Sequence, residues 1–154
     1  MSKLSTAERL YNFNIQQFIS QALAEDLGNG DHTSYACIPS EAIGKAQLLV
    51  KENGIVAGVE LGLEIFKAVD SSLKVKVFIK DGSPIKKGDI VLTVSGKSQS
   101  ILIAERLVLN CMQRMSGIAT KTNSLVKLCK GTSVNLSNCR KFFKPANALA
   151  SFIP

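Results

Sequence analysis

The segment from Ser98 to Met115 constrains the fold more strongly than any other part of the sequence. Apolar residues recur around most of its helical circumference, at Ile101, Leu102, Leu107, Val108, Leu109, Cys111, Met112 and Met115. A helix that is apolar on most sides is stable only when other elements cover it. The segment therefore predicts a largely buried helix over 98–115, around which a small domain packs.

Shorter patterns predict the elements that precede this helix. Helical spacing of apolar residues predicts helices over 14–27 and 59–69, the first with Asn14 as its N-cap and Gly28 at its C-terminal end. Apolar and alternating runs predict strands at 45–51, 73–79 and 90–96, and a short strand or turn at 54–58. Helices mixed with mostly antiparallel strands in this order are typical of the α+β fold class.

The region after the long helix is expected to begin a second unit. The sequence SGIAT at 116–120 predicts a break in the helix, followed by a helix over 118–130 and a strand over 133–138. We therefore divide the chain into an N-terminal α/β domain, 1–115, and the start of an α/β unit, 116–154. A complete (β/α)₈ barrel is not expected, because it needs roughly 200 residues or more and the chain has 154.

Basic residues are concentrated in the second half of the sequence. Residues 78–154 carry twelve Lys and Arg against three Asp and Glu, within a formal net charge of +7, and no acidic residue follows Glu105. An ordinary solvated surface mixes both signs. The imbalance indicates an anionic partner, either a phosphorylated or polycarboxylic small molecule or a nucleic acid.

Two basic positions are candidate binding sites. Arg106 shares a helical stripe with Asn110 and Gln113, and polar groups within an apolar helix need partners. A salt bridge or a helix–helix hydrogen bond would supply them, and so would an anionic ligand gripped by the planar guanidinium. Arg140 and Lys141 follow the last predicted strand, where α/β folds place their sites, although a solvated basic pair has the same pattern.

Metal and thiol chemistry have little support in the sequence. The four cysteines contain no CxxC pair, and His32 is the single histidine, which we interpret as exposed and inert. Cys111 and Cys129 are interpreted as small buried hydrophobic residues. We therefore predict no metal site built from side chains of this chain.

Four segments together resemble the quinolinate phosphoribosyltransferases, also called nicotinate-nucleotide pyrophosphorylases. EDLGNGDHTS at 25–34 resembles the family signature E-D-x-G-x-G-D-x-T-S, and VKENGIVAGVE at 50–60 and KDGSPIKKGD at 80–89 are similar to two further family segments. AERLVLNCMQRMSGIAT at 104–120 resembles the block A-E-R-x-x-L-N-x-x-Q-R-x-S-G-I-A-T, which is the most diagnostic of the four. The resemblance extends over about residues 25–141.

The resemblance implies a glycosyltransferase (pentosyltransferase) of NAD biosynthesis. Family members transfer phosphoribose from phosphoribosyl pyrophosphate to quinolinate, giving nicotinate mononucleotide, carbon dioxide and pyrophosphate with the help of Mg²⁺. The family fold is an N-terminal hammerhead-type α/β domain followed by an incomplete α/β barrel, in a homodimer or larger assembly. By this resemblance, Arg106 contacts quinolinate in the neighbouring subunit's site, and Arg140 and Lys141 bind substrate from the barrel side.

The match to the family weakens near residue 141. The family motif D-T-R-K-T-x-P-G aligns with 138–145, where the Arg140–Lys141 pair is retained while Asn138 and Phe142 replace the aspartate and the following threonine. The family's later Asn-His-Arg segment, further lysine and Glu/Asp pair have no counterpart, so the carboxylates that would hold Mg²⁺ are missing. We therefore expect a C-terminally truncated or frame-shifted form that is inactive by itself.

One further function class is kept as an alternative. Turns like those at 80–89 recur in biotinyl- and lipoyl-type carrier domains, so a non-catalytic binding or assembly domain remains open, although Lys80, Lys86 and Lys87 lack a cofactor-carrying motif. Few aromatic residues accompany the basic half, so no nucleic-acid partner is expected. No apolar run approaches the ~20 residues of a membrane span. Residues 1–17 contain no secretory-type apolar stretch, so we expect a cytoplasmic protein with no membrane partner.

Overall fold

The computed structural model describes residues 14–28 and 36–130. The elements of these ranges are, in chain order, α1 (Ile15–Leu27), β1 (Ile43–Leu49), β2 (Gly54–Ile55), α2 (Val59–Val69), β3 (Lys74–Val77), β4 (Pro84–Ile85), β5 (Ile90–Lys97) and α3 (Ser98–Leu128). The predicted α+β class is confirmed.

The strands form one three-stranded antiparallel sheet and one small pair. The sheet has the order β1-β5-β3, with Ala46 opposite Val94 on one side of β5 and Val75 opposite the same residue on the other. The second pair joins β2 to β4, with Gly54 opposite Ile85. β5 is the central strand, and the consecutive residues Val91 and Leu92, at the register shift opposite Leu48 and Leu49, are both almost fully buried.

The core lies between one face of the sheet and the helices. α2 and α3 contact each other and the sheet, and α1 contacts both helices from outside. The most deeply buried side chains come from the three helices, from β5 and from the segment between β2 and α2. They are Ile19, Val56, Val59, Ile65, Val91, Leu92, Ala104 and Val108. The opposite face of the sheet is not covered by any described element, since outward-facing residues of β1 and β3 are exposed.

The long helix is continuous, so the predicted break at 116–120 is wrong. α3 runs for 31 residues, from Ser98 to Leu128. Ser116 and Thr120 lie on its face toward β2. The Ser116 hydroxyl accepts a hydrogen bond from the Ala57 N–H at 3.0 Å and donates one to the Ala57 carbonyl at 3.2 Å. The Thr120 hydroxyl accepts from the Ile55 N–H at 2.9 Å.

These hydroxyl groups explain why a glycine in the same segment does not end the helix. Gly117 costs a helix about 1 kcal/mol relative to alanine. Each hydrogen bond to an otherwise unpaired backbone group is worth about 0.5–1.5 kcal/mol net. Two bonds from the N–H groups of Ile55 and Ala57 and one to the Ala57 carbonyl offset the glycine, and α3 thereby takes the place of a neighbouring strand beside β2.

α3 is also less buried than its apolar composition predicts. Five of its residues form the buried side, and they are Ile101, Ala104, Val108, Met112 and Met115. Five other large apolar side chains of α3 are exposed, and they are Leu102, Leu109, Ile118, Leu125 and Leu128. The three-stranded sheet, the strand pair and the helices α1 and α2 cover a single side of α3, which extends well beyond them.

The remaining predicted elements agree with the structure to within a few residues. Asn14 caps α1, since its Oδ1 accepts a hydrogen bond from the Gln17 N–H at 3.1 Å, and Gly28 ends the helix with φ 49°. The predicted strand at 133–138 lies outside the described residues. The boundary between 1–115 and 116–154 falls inside α3, and the division into domains stays a prediction.

Replacing Ser116 with alanine should destabilise the chain by about 1–3 kcal/mol, because the Ala57 N–H would lose its partner in a half-buried position. Ser124→Ala is the matched control. Ser124 lies on the same helix, is exposed and bonds only locally to the Lys121 carbonyl. Alanine there should change stability by less than about 0.5 kcal/mol. Urea unfolding followed by circular dichroism measures both, and equal effects would contradict the docking of α3 on β2.

Candidate functional site

A groove between α1 and α3 brings together the two arginines of the long helix. Arg106, Asn110 and Arg114 are spaced four residues apart on α3, so their side chains lie in one row. The groove has a volume of about 590 Å³, and Glu25 and Asp26 at the end of α1 form its opposite wall. Its floor is apolar and consists of Phe18, Ala22, Leu107, Cys111 and Met115.

Arg106 is exposed and only lightly held. One guanidinium nitrogen, Nη1, lies 3.1 Å from the Asp26 Oδ1, while the Arg106 side chain is 71% exposed and that of Asp26 25%. Ion pairs at such exposed positions contribute about 0–1 kcal/mol. The aspartate therefore orients the guanidinium at little cost, and most of the guanidinium edge stays open to another anion.

The sequence stripe of Arg106, Asn110 and Gln113 is confirmed as one face, although that face is exposed instead of buried. Asn110 joins Arg106 in the groove, and Gln113 lies in a neighbouring shallow hollow with Gly117. Sequence reasoning missed Arg114, which lines both depressions. The signals that could have found it are its place as the second arginine of the block at 104–120 and its position eight residues after Arg106, near the same side of the helix.

Three residues singled out in the sequence, Arg140, Lys141 and His32, lie outside the described residues. Their roles therefore stay predictions, and of the predicted substrate-binding residues the groove contains Arg106.

Cys111 lies at the base of the groove and is partly exposed, not fully buried as predicted. Burial raises the pKa of its thiol, and the nearby Arg114 guanidinium opposes that rise. Cys129 is likewise intermediate in exposure. The floor of the groove at Cys111 is therefore a neutral thiol beside a cation, which adds no negative charge to the site.

The turn motif at 80–89 supports the fold around the groove. Asp81 accepts hydrogen bonds from the Val59 N–H at 2.8 Å and the Glu60 N–H at 3.1 Å, and so caps α2. Asp89 closes the second turn by accepting from the Lys86 N–H at 2.7 Å. A smaller hollow of about 280 Å³ beside Asp81 has mainly apolar walls, and the carboxylate within it is already engaged.

The lysines of the carrier-like alternative do not lie at the tip of a paired hairpin. Lys86 and Lys87 are in the turn between β4 and β5, and these strands belong to different sheets. A carrier domain needs its lysine at a tight hairpin tip. The described geometry therefore offers this alternative no support.

The described residues contain no cluster of metal-ligating side chains. Within residues 14–28 and 36–130, no three His, Cys, Asp or Glu side chains lie close enough together to hold an ion. The residues on these segments therefore do not fit the Mg²⁺ that the resemblance implies, and no chemistry is assigned to a metal here.

A family comparison decides what kind of domain this is. The model of the quinolinate phosphoribosyl transferase N-terminal domain matches residues 31–116, which include the groove wall formed by α3 as far as Ser116. The chain belongs to the quinolinate phosphoribosyltransferase family.

Individual family members are similar over most of the chain. It is 47% identical over 114 residues to a mitochondrial quinolinate phosphoribosyltransferase of Nicotiana glauca, covering 73% of this chain and 32% of that protein. It is 50% identical over 111 residues to the chloroplastic nicotinate-nucleotide pyrophosphorylase of Arabidopsis thaliana, covering 71% and 32%. The chain thus spans about a third of the length of these plant relatives.

Solved structures of the same family share the fold. NadC from Streptococcus pyogenes superposes with a TM-score of 0.76 and 29% identity, covering 88% of this chain and 52% of that one. The nicotinate-nucleotide pyrophosphorylase of Francisella tularensis gives a TM-score of 0.71 and 29% identity, covering 76% and 42%. The N-terminal α/β domain expected from the sequence is confirmed. None of the described helices is long and apolar enough to span a membrane.

Alkylation of the cysteines should report on the groove. Iodoacetamide should modify the exposed Cys37 before Cys111, because the raised pKa of Cys111 lowers its thiolate fraction near neutral pH. Arg114→Gln should slow Cys111 further, since it removes the cation that favours the thiolate, whereas Arg106→Gln should not. Peptide mass spectrometry over a pH series measures the rates. A Cys111 that reacts as fast as Cys37 would contradict this geometry.

Proposed function

We propose that this chain supplies the N-terminal domain of a quinolinate phosphoribosyltransferase. The reaction transfers phosphoribose from phosphoribosyl pyrophosphate to quinolinate with decarboxylation, and yields nicotinate mononucleotide, carbon dioxide and pyrophosphate. The observation that carries the proposal is Arg106, which stands exposed in the groove at the position of the family's A-E-R block. The names of the relatives support the same activity.

Arg106 acts as a carboxylate-binding residue in this proposal. Its guanidinium donates two parallel hydrogen bonds to one carboxylate of quinolinate, which suits the planar fork of arginine. Asp26 holds the side chain in an extended position until the substrate carboxylate replaces it. Asn110 and Arg114, in the same row, keep the groove polar and cationic next to an anionic ligand.

The site is completed by a second subunit in a homodimer. Arg106 lies away from the core, and its side chain is 71% exposed although it is paired with Asp26, so its open guanidinium edge is accessible to a neighbouring subunit. Leu102 and Leu109 are exposed on that side, by 40% and 42%, and a partner surface would cover them. Arg140 and Lys141 would bind the anionic substrates from the barrel side, and Mg²⁺ would accompany the pyrophosphate group.

The 154-residue polypeptide is inactive by itself in this account. It has no acidic residue after Glu105, and the described residues form no cation site. A cytoplasmic location is part of the proposal, although the plant relatives are named mitochondrial or chloroplastic.

Quinolinate should bind weakly but saturably to the groove. In ¹⁵N-labelled protein, the side-chain Nε–H signal of Arg106 should shift on titration with quinolinate, and nicotinate, with one carboxylate fewer, should shift it less. Arg106→Gln should weaken binding at least tenfold, or about 1.4 kcal/mol, because a charge-assisted pair is lost.

Lys121→Gln is the control for this titration, since Lys121 is an exposed cation on the same helix but outside the groove. It should leave quinolinate binding unchanged. If both variants weaken binding equally, quinolinate responds to net charge, and the assignment of Arg106 as its ligand is wrong.

Turnover by the purified polypeptide should be negligible. Quinolinate, phosphoribosyl pyrophosphate and Mg²⁺ should give no nicotinate mononucleotide above the uncatalysed level, measured by chromatography. The physical reason is that the barrel-side residues that would hold pyrophosphate and metal have no counterpart in the sequence. Turnover at the level of a full-length relative would show that this polypeptide is complete for catalysis.

A further inference from the structure

The uncovered face of the three-stranded sheet carries a charge of one sign. β1, β3 and β5 contain no acidic residue, and Lys45, Lys74 and Lys76 point to the exposed side. We call this the basic sheet face. It lies on the opposite side of the domain core from the α3 helix, so it is separate from the groove.

The strand register brings these lysines together from distant parts of the sequence. Ser95 of β5 is paired with Lys45 on one side and with Lys74 on the other. Two residues earlier on β5 and on the same face of the sheet, Thr93 is paired with Gln47 on one side and with Lys76 on the other. The hydroxyl groups of Thr93 and Ser95 therefore lie on the central strand, between edge strands that carry Lys45 and Gln47 on one side and Lys74 and Lys76 on the other.

No described carboxylate neutralises these three lysines. The ion pair found among residues 14–28 and 36–130 involves Arg106 and Asp26, which lie elsewhere. Lys97, at the end of β5, is different. Hydrogen bonds from Ser72 lower the pKa of Asp70 most, and Lys97 adds a smaller electrostatic lowering. Lys97 therefore has an acidic neighbour and is left out of the basic sheet face.

One end of the face carries a group of three exposed apolar side chains, whereas the other end carries Ile43 alone. Leu49 and Ile90 are paired in register and are exposed by 40% and 36%. Phe78, which is hydrogen-bonded to Val91 beside them, is exposed by 52%. The Lys76 ammonium lies 5.1 Å from the centre of the Phe78 ring, so the cationic and apolar parts of the face are continuous.

We infer that the basic sheet face binds an acidic polypeptide segment that carries apolar side chains at one end. The acidic residues pair with Lys45, Lys74 and Lys76, and the apolar residues pack on Leu49, Ile90 and Phe78. Complementary charge orients the segment, and burial of the apolar end adds affinity.

The size of the face favours a short segment over a second globular subunit. Seven residues of β1 extend roughly 20 Å, and three strands are roughly 10 Å across. The resulting area is far below the ~800 Å² per partner of a stable globular interface. Single-stranded nucleic acid is disfavoured because it needs several stacking rings, and Phe78 is the one aromatic residue on this face.

Fluorescence anisotropy with defined peptides tests the inference on the 154-residue chain. The probe is a labelled peptide LFGSDEDEDESG, and its counterpart LFGSKKKKKKSG carries the opposite charge. The acidic peptide should bind and the basic one should not, and added salt should weaken binding. Backbone amide shifts in ¹⁵N-labelled wild-type protein should map to Gln47, Thr93 and Ser95, a readout that needs no variant.

Two sets of variants distinguish binding at the basic sheet face from a response to the total charge of the protein. Lys45→Glu, Lys74→Glu and Lys76→Glu together should weaken binding at least about tenfold. The equal charge change at the exposed loop residues Lys80, Lys86 and Lys87 should weaken it less than about threefold. Phe78→Ser should weaken binding about fivefold, and Leu102→Ser on α3 should not.

Several results would overturn the inference. They are equal losses in the two lysine triples, peptide shifts that map to α3, or no binding at low ionic strength. Tighter binding of oligothymidylate, or of vesicles containing phosphatidylserine, than of the acidic peptide would assign the face to a nucleic acid or a membrane instead.

Discussion

The docking of α3 on β2 through two hydroxyl groups determines most of what this domain does. Ser116 and Thr120 satisfy backbone groups of Ala57 and Ile55 that no strand pairs with. Because those bonds keep α3 helical through Gly117, it extends as one continuous helix beyond the small sheet. The buried side of α3 completes the core at Val108 and Met112. Its other side is left free for the groove with α1.

The electrostatics of the groove follow from that exposed side. Arg106 lies outside the core, so its charge needs no buried partner, and the pair with Asp26 is worth little. A buried arginine would have required a strong partner that competes with substrate. The exposed position therefore combines orientation by Asp26 with an open guanidinium edge, as the proposed donation of Arg106 to a neighbouring site requires.

Local sequence patterns predicted most helices and strands of the domain, because each of these elements is determined mainly by residues within it or at its ends. Asn14 and Gly28 bracket α1 through capping chemistry that the sequence shows directly. The break at 116–120 was mispredicted because serine, glycine and threonine usually compete with helix formation, and their partners, 59–65 residues away, cannot be read from local spacing. Burial of α3 was overpredicted for a similar reason, since Leu102 and Leu109 lie on a side of the helix that no described element covers.

The candidate site was partly predictable. The stripe through Arg106 and the family block located one wall of the groove, but neither showed that Asp26 of α1 faces it across 80 residues of sequence. Arg114 was overlooked because the groove that it lines exists only where α1 packs beside α3, and the sequence does not show that packing. The basic sheet face depends entirely on strand register, which brings Lys45 and Lys74 to the two sides of Ser95.

The most direct test of the account is complementation between subunits. A full-length relative, such as the Arabidopsis thaliana enzyme, would be inactivated by replacing the arginine of its own A-E-R block with alanine. It would then be mixed with this chain, and native mass spectrometry would confirm assemblies that contain both. The account predicts that nicotinate mononucleotide formation returns with the wild-type chain and not with its Arg106→Ala variant. Mixed assemblies that stay inactive would contradict the donation of Arg106 to a neighbouring site.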